Sequence, residues 1–535
     1  MSSSLHGFSL IAGVPARHGE DTFRAVDPAT NAPLAPDFHE ATAIEVEQAM
    51  NFAATAFATY RHTPGAVRAA FLERIATEIE ALGDELLKRA NHETGLPLAR
   101  LTGERARTCG QLRLFAAVAR EGSWVDARID PALPDRQPLP RPDLRRMLVA
   151  IGPVIVFGSS NFPLAFSAAG GDTASALAAG CPVVVKAHRA HPGTAELVGG
   201  AIARAVSACG LPPGVFALIH GGGSTTGIAL VQHPAAAAVG FTGSHAAGRA
   251  LMAAAAARPH PIPVFAEMSS LNPLFALPGA LAERGAAIAQ GLFASFTLGV
   301  GQFCTKPGLV FALRGKDTDA FAQKLADTVR LAPAGVMLTS GIREAFLANR
   351  DAITEIEDVS ILAESKPVED IEDLGQGARP MVATTSAKNF LAHPELATEA
   401  FGPFTLLVLA DTAAELTACA AALEGQLTAT VHGTAAELAA ARPLLAALER
   451  IAGRVVINGF PTGVEVSPAM NHGGPYPATS DVRFTSVGTA AIYRFARPVC
   501  YQGFADALLP DALKNANPLG LLRLVDGKST RDTIA

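Results

Sequence analysis

Cys304 is the side chain in this sequence whose type and setting best suit nucleophilic chemistry. It follows Gly301-Gln302-Phe303, and a cysteine thiolate attacks electrophilic carbon more readily than any hydroxyl at neutral pH. The same residue also reads as a small buried hydrophobe. Glu267 is a lone carboxylate in the apolar stretch Val264-Phe265-Ala266-Glu267. Burial of such a group raises its pKa toward the range of a general base, unless an ion partner holds it charged. Asn161 lies in Gly158-Ser159-Ser160-Asn161-Phe162-Pro163, a strand-to-helix turn where an amide either caps the helix or donates to a developing oxyanion.

Phosphate recognition has two candidates. Phe241-Thr242-Gly243-Ser244 ends a strand and opens a helix, so free N–H groups there can meet a pyrophosphate. Gly221, Gly223 and Gly227 lack the GxGxxG spacing and also fit an ordinary loop. The 14 histidines form no HExxH or comparable constellation, and the sequence predicts no metal site.

These residues need a scaffold of more than one domain, which 535 residues supply. A composition of 49% hydrophobic and 17% charged residues excludes a disordered chain. The net charge of −6, without a basic run, excludes a nucleic-acid or anionic-membrane partner and points to a small-molecule ligand. Six scattered cysteines without a CxxC pair suit a reducing compartment. Met1–Gly19 lacks a basic n-region, and no apolar run reaches the ~18 residues of a membrane span. A cytoplasmic location is the expectation.

Positions 41–111 carry helical periodicity, as in Phe71, Ile75, Ile79, Leu82 and Leu86. The prolines between Asp126 and Arg146 forbid a helix and mark an excursion. Strand and helix then alternate: strands over 147–157, 182–186, 215–219 and 236–242, and helices over 164–179, 194–209 and 245–257. Such alternation predicts a parallel sheet with ligands at the carboxyl ends of its strands. It restarts after Glu267 as a second α/β unit to about 458. The expected domains are a cofactor domain (1–125 and 147–266), a catalytic domain (267–458), an arm (126–146 and 483–499) and a helical or irregular tail (500–535).

Taken in order, Asn161-Phe162-Pro163, Val184-Val185-Lys186, Phe241-Thr242-Gly243-Ser244, Glu267-Met268-Ser269-Ser270-Leu271-Asn272-Pro273, Gly301-Gln302-Phe303-Cys304 and Glu399-Ala400-Phe401-Gly402-Pro403 resemble the aldehyde dehydrogenase superfamily. The likeness spans nearly the whole chain. It is nearest to the NADP-using 2,5-dioxovalerate (α-ketoglutaric semialdehyde) dehydrogenases, through Glu93-Thr94-Gly95-Leu96-Pro97, Gly103-Glu104-Arg105-Ala106-Arg107-Thr108, Lys186-Ala187-His188-Arg189 and Asn471-His472-Gly473-Gly474-Pro475-Tyr476-Pro477.

The resemblance implies an α/β aldehyde dehydrogenase-like fold, with a Rossmann-like parallel-sheet cofactor domain, a second α/β catalytic domain and a β oligomerisation arm that makes a homodimer or homotetramer. It implies oxidation of an aldehyde by NADP, with NAD as an alternative. Cys304 attacks the carbonyl, Asn161 and the Cys304 N–H hold the oxyanion, and Glu267 activates water on the resulting thioester. Glu399 and Phe401 contact the nicotinamide end, Ser244 and Gly243 the pyrophosphate, Lys186 the adenosine ribose; Gly223 is a further cofactor candidate. Arg105, Arg107 and Phe303 are the substrate candidates, with an arginine suited to a remote carboxylate.

Two departures matter. Ser160 replaces the usual Trp, and Arg189 stands where many members carry glutamate, which favours a 2′-phosphate, with His188 beside it. The alternatives are a broad aliphatic aldehyde dehydrogenase, a coenzyme A-acylating relative, against which Glu267 argues, and an inactive binding protein of the same fold.

Overall fold

The computed structural model describes residues 5–366 and 375–534. Its first sheet has seven strands in the order Val264–Glu267, Ala238–Thr242, Val154–Phe157, Val183–Lys186, Phe216–Ile219, Ser9–Ile11 and Val14–Ala16. The first five are parallel, and the last two form an antiparallel hairpin on the edge. Every residue of Val154–Phe157, Val183–Lys186 and Phe216–Ile219 is buried, as expected where helices cover both faces of a parallel sheet. Chain order runs outward in both directions from Val154–Phe157, so the strand order reverses between it and Ala238–Thr242. A crevice opens at such a reversal, beyond the carboxyl ends of the strands.

Helix Ala43–Tyr60 buries Val46, Ala49, Met50 and Ala53 against Ile155, Val184 and Ile219 on one face of the sheet, while Gly65–Ala81 and Leu98–Glu121 join Val154, Val156 and Val183 on the other. Thr42 and Glu45 form a capping box at the start of the first, and Phe71, Leu72, Ile75 and Phe115 are fully buried beneath them. Removing one of these phenyl groups would cost about 3–5 kcal/mol.

The second sheet runs Ser360–Glu364, Met381–Ser386, Phe404–Ala410, Leu309–Leu313, Leu274–Ala276, Gln426–His432 and Ala452–Ile457. It is parallel except for its first strand. Phe275 and Phe311 stack at 4.7 Å in its core.

Several boundaries differ from the expectation. The strand expected over 147–157 is two, Leu144–Ala150 and Val154–Phe157, in different sheets. Gly152 (φ 142°) and Pro153 break it. The helix expected over 164–179 begins only at Gly171, because Pro163 and the Gly170-Gly171 pair leave 163–170 as turns and bends. The arm is a five-stranded sheet, Ala496–Gln502, Leu144–Ala150, Arg128–Asp130, Arg523–Val525 and Lys528–Thr530. It therefore includes residues assigned in advance to a helical or irregular tail. Residues 489–495, expected as strand, form a 3-10 helix. Among the described residues no helix is long and apolar enough to cross a membrane.

Candidate active site

Asn161, Glu267 and Cys304 line one cavity of ≈ 630 Å³ at the carboxyl ends of the first sheet. Cys304 reaches it from a backbone that only particular residues tolerate. Gly299, Val300 and Gly301 all have positive φ (56°, 58° and 69°), a region costly for the β-branched Val300. A Cβ on Gly301 would lie 2.2 Å from the carbonyl group of Gly402, so that glycine is required. Asn272 Nδ2 donates to Cys304 O at 2.8 Å and to Lys306 O at 3.0 Å, tying the cysteine turn to the strand that follows Glu267.

Asn161 does not cap a helix. Its Nδ2 donates to Gln302 O at 2.9 Å, which spends one of the two amide hydrogens on orientation and leaves the second for a ligand. Its loop is held from behind. Arg100 Nη2 donates to Asn161 O at 2.7 Å, and Glu104 accepts from the N–H groups of Leu164 (2.9 Å) and Ala165 (3.0 Å). The Arg100 guanidinium also sits 5.0 Å from the Phe162 ring centre and 4.8 Å from that of Phe303.

Glu267 ends its strand and is 2% exposed. Its Oε1 lies 2.9 Å from His472 Nε2, and its Oε2 accepts from Ser486 Oγ at 2.7 Å. His472 is 1% exposed, with Nε2 also 3.6 Å from Cys304 Sγ. One donor atom from each of Glu267, Cys304 and His472 thus lies within 4.8 Å of the others.

The expected upward shift of the Glu267 pKa does not occur. Burial pushes it up, but the attraction of His472 and the hydrogen bonds from His472, Ser486 and Cys304 together outweigh burial and leave it lowered. Cys304 moves strongly the other way. Burial, then the Glu267 and Glu399 carboxylates, hold its thiol well above the usual range, opposed by Arg107. At rest the cluster is a thiol beside a carboxylate.

The cavity continues along Thr242–His245 and Met268–Ser269 to Glu399 and Phe401. Ser244 caps the helix His245–Ala256, accepting from Ala247 N at 3.3 Å. Glu399 is raised by burial, against the opposing charge of Lys306. Ser159 Oγ, on the cavity wall, is buried without a partner. A cleft with acceptors at one end and a helix N-terminus along its wall fits a nicotinamide dinucleotide, with a cation on a strand of the first sheet, outside the cavity lining.

That cation is Lys186, whose pKa burial lowers to about 8, helped by Arg189 and opposed by Glu40. Arg189 does not stand free: Nη2 is 2.9 Å from Glu40 Oε1, and the guanidinium lies 4.4 Å from the Phe23 ring centre. Gly223 begins the turn 223–227 with open space around its Cα. His188 is kept neutral by burial and by His191 and Lys186.

On the substrate side the two candidate arginines separate. Arg105 turns away and donates to Gly83 O at 2.8 Å, so its side chain does not line the site. Arg107 bonds Val464 O, keeps a buried Nε without a partner, and interacts electrostatically with both Cys304 and Glu267. It lines a second cavity of ≈ 540 Å³ with Gln111, Val464 and Glu465. Arg454 was not foreseen. It leans on the same loop, donating to Pro461 O and Gly463 O, has a buried unpartnered Nε and interacts with Cys304. Phe303 packs edge-on against Phe162 at 5.1 Å.

His472, Ser486, Glu40, Arg100 and Arg454 were missed because their partners are distant in sequence. Cys304 and His472 are 168 residues apart. The Asn471-His472-Gly473-Gly474 run was a signal, but only of resemblance.

Comparison with known proteins accounts for this geometry. The chain is 55% identical over 526 residues to alpha-ketoglutaric semialdehyde dehydrogenase 2 of Azospirillum brasilense, covering 98% of this chain and 99% of that one. It is 48% identical over 531 residues to the alpha-ketoglutaric semialdehyde dehydrogenase of Acinetobacter baylyi, covering 99% and 100%. Among solved structures, an aldehyde dehydrogenase C mutant from Pseudomonas syringae, complexed with NAD+ and octanal, superposes with TM-score 0.78 at 24% identity over 94% of this chain and 98% of that one. Lactaldehyde dehydrogenase from Escherichia coli does so at 0.78 and 22%, over 92% and 98%. The aldehyde dehydrogenase family profile matches residues 15–476, and with these relatives and this fold the chain belongs to the aldehyde dehydrogenase family.

Proposed function

We propose that the protein oxidises α-ketoglutaric semialdehyde (2,5-dioxovalerate) to 2-oxoglutarate with a nicotinamide cofactor, NADP or NAD. The observation that carries the chemistry is the meeting of Cys304, Asn161 and Glu267 in one cavity; the substrate follows from the two named relatives. The Cys304 sulfur bonds to the aldehyde carbon, and the free Asn161 amide hydrogen and the Cys304 N–H hold the oxygen that becomes negative. A nicotinamide held beside Glu399 and Phe401 would supply the oxidant for the hydride lost from that carbon, and Cys304 is left carrying a thioester. Glu267 then takes a proton from water, which attacks the thioester and releases the acid and the thiolate. Its lowered pKa means that it is charged, and so able to act as a base, at neutral pH.

The substrate's remote carboxylate needs a fixed cation in a water-poor setting. Arg107 and Arg454, each with a buried unpartnered Nε and each near Cys304, supply it, and Arg107 is the one that lines an open cavity. Glu399 and Phe401 serve the nicotinamide end, Gly243 and Ser244 the pyrophosphate, and Lys186 with Arg189 and Glu40 the adenosine ribose. We assign the protein to the cytoplasm, in keeping with its free, unpaired cysteines, and to a homodimer or dimer of dimers, because the arm sheet presents strand edges and exposed Phe504, Leu508 and Leu522. A panel of aldehydes tests the substrate. Efficiency on the semialdehyde at least tenfold above that on pentanal supports a carboxylate site, and equal efficiency removes it.

A further inference from the structure

His472 is not used by the chemistry described so far, yet its Nε2 lies between the two groups that exchange charge, 2.9 Å from Glu267 Oε1 and 3.6 Å from Cys304 Sγ. Its other nitrogen, Nδ1, is buried without a partner. An unpartnered buried N–H is costlier than an unpartnered lone pair, which places the imidazole proton on Nε2. The Glu267 oxygen facing Nε2 can only accept, so the ring is a fixed donor whose Nε2–H can serve either anion.

Two steps of the reaction make the same exchange. When the thiol is activated, the S–H bond breaks, its proton forms an O–H bond on Glu267, and negative charge appears on sulfur. Once Glu267 has released that first proton to bulk water, the thioester is hydrolysed: water gives its proton to Glu267, its oxygen bonds to the acyl carbon, the C–S bond breaks and sulfur again leaves as thiolate. In both, a carboxylate becomes neutral as a thiolate forms about one hydrogen-bond length away.

We propose that His472 is a catalytic residue, whose Nε2–H follows this charge from the Glu267 carboxylate to the Cys304 sulfur in both the acylation and deacylation steps. The inference rests on Cys304 being the nucleophile and Glu267 the base.

The surroundings make such a donor necessary. Glu267 and Glu399 both disfavour the thiolate and Arg107 favours it; Arg454 also feels its charge. Glu267 accepts a hydrogen bond from the thiol and cannot donate one to the thiolate, and no hydrogen bond joins Glu399, Arg107 or Arg454 to the sulfur among the described residues, whereas His472 Nε2 lies 3.6 Å from it. The imidazole is held from its own backbone, with His472 N donating to Thr485 Oγ1 at 2.8 Å and Ser486 N donating to His472 O at 2.9 Å. The same Ser486 holds Glu267 Oε2, so donor and carboxylate share one loop.

The test removes the donor while keeping the volume. His472→Phe and His472→Leu, each checked by circular dichroism and by NADPH binding, are compared with wild type and with His472→Gln. Two readouts are taken: iodoacetamide alkylation at Cys304, located by mass spectrometry, across pH 6–10, and the rapid-mixing traces of cofactor reduction. A charged hydrogen bond lost from the thiolate slows alkylation at neutral pH and both kinetic phases by about 10- to 100-fold. The alkylation profile moves up by about one to two pH units, and the Gln variant recovers part of the loss.

A folded donor-free variant whose profile and burst superpose on wild type overturns the proposal. In the wild type itself, nitrogen-15 spectra of labelled histidine must show a proton on His472 Nε2; a ring protonated on Nδ1 alone also overturns it, whether or not the variants fold. If iodoacetamide labels Cys304 of the wild type without loss of activity, the reading of Cys304 as nucleophile fails instead.

Discussion

Cofactor choice turns on a pair of residues of which the sequence reading singled out only one. With the cofactor placed as proposed, Arg189 would hold a 2′-phosphate, but Glu40 already holds Arg189 at 2.9 Å, with the two side chains 48% and 26% exposed. A pair so exposed contributes only about 0.2–1 kcal/mol, while a guanidinium hydrogen bond to a phosphate contributes about 1.5–3 kcal/mol. Binding NADP therefore breaks the weaker contact to make the stronger. The net, about 1–2 kcal/mol, predicts that Arg189→Ala lowers kcat/KM for NADP by about 5- to 30-fold and leaves NAD nearly unchanged. Glu40→Gln acts in the opposite sense. It frees Arg189 and removes a negative charge that repels the phosphate and can accept from the ribose hydroxyls of NAD. The NADP-to-NAD efficiency ratio should rise by up to about fivefold. The assay is kcat/KM for each cofactor at saturating aldehyde, at low ionic strength and at 0.15 M salt, where this half-exposed pair is screened. A ratio unchanged in Arg189→Ala, or moved the same way by both substitutions, refutes the reasoning.

Replacing Asn161 by Ala should lower kcat by about 10²- to 10³-fold with little change in cofactor affinity, read by steady-state kinetics and NADPH fluorescence. Arg107→Ala should cost about 10- to 150-fold in kcat/KM for the carboxylated semialdehyde and little for pentanal, whereas Arg105→Ala, which loses a contact to Gly83 O, should change neither. In the cofactor-free enzyme Cys304 is held as a thiol by burial and by Glu267. Its thiolate fraction, and with it the rate of iodoacetamide labelling, should rise about tenfold per pH unit from pH 6 to 9. A plateau near pH 7 would show that the thiol is not so held.

Much of the fold was legible because its signals are local. The apolar runs Val183–Val185 and Phe216–Ile219, and the helical periodicity around Phe71 and Ile75, identify themselves within a few residues. What failed was the reading of boundaries that depend on tertiary context. Gly152-Pro153 divides one apolar run between two sheets, and the Arg523–Val525 and Lys528–Thr530 hairpin joins the arm sheet through the edge that Arg128–Asp130 offers it. The site divides the same way. Cys304, Glu267 and Asn161 stood out by type, while His472 and Glu40 acquire meaning only through atoms far along the chain. The Glu267 pKa was misjudged for that reason: burial was readable from the apolar strand, the histidine that offsets it was not.

The central claim is that Cys304 carries the acyl group and Glu267 is needed to remove it. Glu267→Gln tests it directly by rapid mixing with cofactor and aldehyde. Removing the carboxylate also removes a charge that raises the Cys304 pKa, so loss of the thiol proton to water is eased and acylation persists. The account predicts a burst of reduced cofactor approaching one per active site, then a steady state slowed by about 10²- to 10⁴-fold, with the acyl mass found on Cys304. An undiminished steady-state rate, or a burst with no acyl group on Cys304, would contradict it.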